Sequence, residues 1–176
     1  MSDTSSTPIH ALAELLSGRA KPVVVPERLA PSTIYDLRYR ISVVAATFEI
    51  NAKPYGIAQR RIPAGKLKFL QFIACRPWLI DMVREWIAAQ HDAQAAISSY
   101  RLRRGFLGDQ MHDDVVELLV ARGVLMRMNA HIVSADTQLL TSLYATAIDN
   151  NLFGAERHVL QELRDIQITN AMLEGW

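Results

Sequence analysis

Two short clusters, His91-Asp92 and His112-Asp113-Asp114, hold the residue types in this 176-residue chain that are best suited to hydrolysis. An adjacent histidine and aspartate can bind a metal ion that activates water. Further ligands have no defined place in the sequence, however, and Asp113 and Asp114 are also explained as first-turn acids that favour a helix N-terminus. The preferred reading of both clusters is therefore a solvated helix face. The five histidines contain no His-x-x-x-His pair, and one cysteine cannot build a thiolate zinc site. Glycine patterns for a phosphate loop, a dinucleotide fold or a hydrolase elbow are absent too. Cys75, in Phe-Ile-Ala-Cys, reads as a buried structural thiol. Phe69, Phe72, Trp78 and Trp86 recur at helical spacing and read as core. Neither a catalytic residue nor a cofactor is expected.

Charge offers a second kind of chemistry. Net charge is only +1, yet residues 53–104 carry ten Lys/Arg against three acids, whereas residues 105–176 carry four against ten. Phosphate or an acidic partner would seek the first stretch. The candidate contacts are Arg60, Arg61, Lys66, Lys68, Arg101, Arg103 and Arg104. They suit a sequence-independent backbone contact, and equally a solvated face or a complement to the acidic half.

The elements that must position these groups are mainly helical. Residues 1–31 form an N-terminal arm punctuated by Pro22, Pro26 and Pro31. Within it Thr7 and Pro8 start a short amphipathic helix with Ile9, Leu12 and Leu16 on one stripe and Gly18 at its end. That helix is too short to stand alone, so Ile9, Leu12 and Leu16 are expected to dock on a partner or on the domain itself. A single domain follows over residues 32–176. Its first helix runs from Ser32 to Asn51, with Ile34, Leu37, Ile41, Val44, Ala45 and Phe48 inward. Pro63 opens a second that stops before Pro77, and a third runs from Pro77 to about Ala96. Residues 100–108 read as a loop between glycines. A fourth helix, Asp109–Arg122, ends at Gly123. Val124–Met128 and His131–Ser134 then flank Asn129-Ala130 as one short β-hairpin. A helix capped by Asp136 or Ser134, another after Gly154, and a last turn from Thr169 complete the chain.

A hairpin directly after a helix is a winged-helix signature, so the expected fold is mainly α: a winged-helix-like helical domain with one short β-hairpin, an N-terminal arm and extra C-terminal helices. In a winged helix the helix before the hairpin usually enters the major groove. Here it bears Asp109, Asp113, Asp114 and Glu117 against Arg122, which phosphate would repel. The usual docking is disfavoured. No apolar stretch reaches the ~20 residues needed to cross a bilayer. The N-terminus lacks the basic start of a secretory signal, and the lone cysteine fits a reducing compartment, so a cytoplasmic location is expected.

Residues 33–135 resemble the winged-helix-like middle component of three-component ABC-ATPase defence systems, the Lamassu-type group. The resemblance rests on the helix around Tyr35–Phe48, the apolar helix Pro63–Phe72, Arg76-Pro77-Trp78 leading to Trp86, and Gly105-Phe106 before the fourth helix and hairpin. It implies a non-enzymatic accessory or interaction subunit bound to an SMC-like or Rad50-like coiled-coil ATPase, and it transfers no site residue. The alternatives are a DNA-binding transcriptional regulator or architectural protein and, ranked last, an HD-like metal phosphohydrolase. The partners expected are a protein, a second copy of the chain or non-specifically bound DNA, and no membrane.

Overall fold

The computed structural model describes residues 34–88, 102–149, 154–166, 168 and 173. Helix α1, Leu37–Asn51, starts at Asp36, whose carboxylate accepts the backbone N–H groups of Arg38 at 2.8 Å and Tyr39 at 3.2 Å. Every residue from Tyr39 to Phe48 is buried. The sequence pattern implies one inward stripe, but α1 runs through the middle of the domain and is covered on all sides. Its covers are α2 (Ala64–Ala74), α4 (Gln110–Ala121), α5 (Thr137–Asp149) and α6 (Gly154–Glu162). Ser42 and Thr47 survive burial because their hydroxyls donate to the carbonyls one turn back, Arg38 at 3.0 Å and Val43 at 2.7 Å.

After α1 the chain makes a hairpin, β1 (Lys53–Tyr55) and β2 (Gln59–Pro63), turning through Gly56 at φ +63. The wing, β3 (Leu125–Met128) and β4 (His131–Ser134), joins it in a four-stranded antiparallel sheet of order β1-β2-β4-β3. The fold is thus mainly helical and winged-helix-like, with two hairpins where the sequence suggested one. Pro54 hides the first hairpin from a sequence reading, yet β1 is an edge strand, where a missing N–H costs no ladder bond. Ile62, Leu125 and Ile132 point from the inner face of the sheet into the core. Asn129 turns the wing at φ 54.

A 3-10 turn, Pro77–Leu79, precedes α3 (Ile80–Ala88), the described part of the expected third helix. Residues 102–107 are helical and not a loop. Leu102 and Phe106, one turn apart, face inward, and Phe106 meets Phe69 and Phe72 at ring distances of 6.5 and 6.0 Å. A Cβ on Gly105 would lie 2.9 Å from the Phe72 ring, so this glycine permits close packing where the sequence suggested a loop boundary. Trp86 joins the cluster through Phe69 at 5.8 Å, whereas Trp78 is 52% exposed and is not the core residue its spacing implied. Asp136, and not Ser134, caps α5 by accepting the Leu139 N–H at 2.8 Å. Gly154 opens α6 as expected, and of the expected last turn only Leu173 is described.

The wholly buried Arg40 of α1 donates from Nε to the Ile34 carbonyl and from Nη2 to Asp109, both at 2.7 Å. Asp109 also accepts from Arg76 at 3.0 Å. It is therefore a buried anion between two cations and not an exposed first-turn acid. Burial alone would raise its carboxyl pKa, but Arg40 and Arg76 outweigh that and hold it below the usual value. Asp109→Ala strands the buried Arg40 and should cost about 3–5 kcal/mol in urea unfolding. Asp113→Ala, which breaks only the exposed pair with Lys68, should cost under ~1 kcal/mol.

Candidate nucleic-acid interface

Strand pairing builds the basic site. Side chains alternate across a sheet, and Lys53 lies opposite Arg61 while Arg61 lies opposite Val133, so Lys53 and Arg61 share the outer face. His131, paired with Pro63, is on that face at the start of β4. Lys66 adds a cation from the first turn of α2, directly after β2 ends. Arg164 and Asp165 approach from the segment that follows α6. Together with Asn51 at the end of α1, these groups line an open cleft of about 800 Å³.

Among the described residues, four cations, Lys53, Arg61, Lys66 and Arg164, thus face one carboxylate, Asp165. Lys66 Nζ donates to the Ile166 carbonyl at 3.3 Å. Its pKa is lowered first by burial and then by Lys53, with Asp165 opposing. Like charge has been gathered here at an electrostatic cost that a bound anion would relieve.

The cleft takes up only part of the basic set proposed from sequence. Arg61 and Lys66 belong to it. Arg60, the next residue along β2, projects to the opposite face and donates to the Glu49 carbonyl at 3.0 Å and its carboxylate at 3.1 Å. Lys68 turns toward α4, pairing with Asp113 at 2.7 Å and lying 5.7 Å above the Phe106 ring. Arg103 and Arg104 are exposed on the 102–107 helix and do not line the cleft. Arg101, and the arm residues Ile9, Leu12 and Leu16, lie outside the described residues. Lys53, Arg164 and His131 were missed. Lys53 was legible as part of the basic stretch, whereas Arg164 sits in the acidic half and joins the cleft only through tertiary packing.

The helix before the wing, α4, presents Asp113, Asp114 and Glu117 to solvent. Arg127 of β3 donates to Glu117 at 3.0 Å, which ties the wing to that acidic face. His112 is buried and not part of a solvated face, its Nδ1 2.7 Å from the Gln71 amide oxygen. Burial drives its pKa down to about 4. Among the described residues no three His, Cys, Asp or Glu side chains are grouped to hold a metal ion. His91-Asp92 falls outside them. Cys75 caps α2 wholly buried, and burial pushes its thiol up to about 11, so it is no thiolate at neutral pH. No helix among the described residues is long and apolar enough to cross a membrane.

No family model, curated protein or solved structure matches this chain.

His112 makes stability depend on pH. In the fold it stays neutral down to about pH 4, while an unfolded histidine takes its proton at 6.5. Between those values the unfolded chain binds more protons, so stability falls as pH falls. Urea unfolding at about pH 7 and about pH 4.5 should differ by about 2 kcal/mol from this group. His112→Gln should remove that share of the difference.

Proposed function

We propose that this chain is a non-enzymatic, winged-helix-like accessory subunit that holds nucleic-acid backbone in the cleft beside its sheet. The convergence of Lys53, Arg61, Lys66 and Arg164 on one open cavity carries this reading. Arginine and lysine projecting from a rigid sheet and a helix start suit phosphate oxygens. The outward acids of α4 support a docking mode in which that helix stays clear of the duplex groove. A non-enzymatic role is supported by the state of the reactive side chains: Cys75 is buried and protonated, and His112 is buried, neutral and bonded to Gln71. The resemblance to the middle component of ABC-ATPase defence complexes supplies a context in which a coiled-coil ATPase partner performs the chemistry.

Phosphate contact makes affinity fall with salt in proportion to the number of phosphates neutralised. Lys53→Ala/Arg61→Ala/Arg164→Ala should weaken binding of fluorescent oligonucleotides at least ~10-fold and reduce the slope of log affinity against log salt by about 2–3. Losses should be alike for all base sequences. Arg103→Ala/Arg104→Ala, outside the cleft, should change affinity less than ~2-fold. Fluorescence anisotropy over a salt series measures both, and undiminished binding by the cleft variant would refute the proposal.

A further inference from the structure

We infer that the nucleic acid held in this cleft is single-stranded, with one unstacked base seated in a slot on the outer sheet face. The inference rests on the cleft reading and adds a second cavity to it. A slot of about 100 Å³ adjoins the cleft, and the two share Arg61 and His131 in their walls. Because the two cavities share these walls, a base in one and its own phosphate in the other can belong to a single nucleotide.

The slot has the chemistry of a base site. Its stacking surface is the Arg61 guanidinium, which lies over the Tyr55 ring with its carbon 5.1 Å from the ring centroid. A base can pack against this cation–π pair, since guanidinium planes and aromatic rings both accept nucleobases. Met128 supplies exposed apolar wall above the buried Val133. Asn129, held in the wing turn at φ 54, and His131 place an amide and an imidazole at the rim, where the hydrogen-bonding edge of a base would lie.

Strand type follows from access. In a duplex each base is stacked above and below and paired at its edge, so none can enter the slot while its phosphate occupies the cleft. In a single strand one nucleotide can satisfy both. The slot makes no use of α4, which agrees with the acidity of that helix. Met128 is 38% exposed at the wing tip, open to such a ligand.

The test compares three probes of equal length on the full chain: an oligothymidylate, a strand of the same backbone without bases, and a duplex. The wild-type protein is expected to bind oligothymidylate at least ~10-fold more tightly than either of the others, the effect of one stacked base. Tyr55→Leu keeps the formal charge but removes the ring behind Arg61. It should lower affinity for oligothymidylate at least ~5-fold more than affinity for the base-free strand. The base-free strand tests the slot without any substitution, so a folding defect in the variant cannot decide the outcome. Equal affinity for all three probes would overturn the base slot and leave the phosphate cleft standing. Binding to none of them would overturn both.

Discussion

Arg40 sits, wholly buried, in the first turn of a helix whose residues from Tyr39 to Phe48 are all buried, and the arrangement around it depends on neutralising that one charge. A guanidinium cannot be stripped of water without a carboxylate and further acceptors. Asp109 supplies the carboxylate from the start of α4, and Ile34 supplies a carbonyl. Because Asp109 also takes Arg76 from the end of α2, one anion ties together three elements that are remote in sequence. A second buried pair does the same for α6, where the Tyr39 hydroxyl donates to Glu156 at 3.0 Å. Burial raises the pKa values of both groups, which favours the neutral forms and lets the pair persist without counterions. Apolar packing makes the domain cohere, and these polar contacts fix which helix ends meet.

That fixing positions the cleft. The end of α1 delivers Asn51, whose amide donates to the Leu160 carbonyl of α6 at 3.1 Å. This bond sets the approach of the segment bearing Arg164 toward the sheet. On the opposite side the Ala64 N–H donates to the Ala130 carbonyl at 2.9 Å, linking the start of α2 to the wing turn. Lys66 is thereby held beside Lys53 and Arg61. Cations that would separate in water are kept together by backbone and amide bonds that carry no net charge.

Much of the fold was legible in the sequence because its signals are local. The helix before the wing has a 3.6-residue apolar period and a glycine stop, and the wing has a two-residue turn between apolar runs. The first hairpin was not legible, since Pro54 disguises β1 and β2 offers only Ile62 as an inward apolar residue. Nor was the burial of α1 on every side, because Arg40, Ser42 and Thr47 read as a polar face until their partners are known. Asp109 and His112 misled for a related reason. Their types favour exposure, and the bonds that make burial tolerable come from residues 33 to 69 positions away for Asp109 and 41 away for His112.

Charge along the chain was the least reliable guide to the site. The basic and acidic stretches answer each other in part across the fold: Lys68 meets Asp113, and Arg84 meets Glu162. Arg60 is taken by Glu49, which precedes the basic stretch. These pairs withdraw cations from the stretch that looked most like a binding surface. In the cleft the pattern differs, because Lys66 is bonded to a carbonyl and Arg61 lies over a ring, and neither contact neutralises a charge. Positive potential therefore accumulates where the sheet's outer face meets the chain after α6, and it does so with an arginine from the acidic half. A local excess of lysine and arginine could not have located that point, because what distinguishes it is which cations have no carboxylate within bonding distance among the described residues.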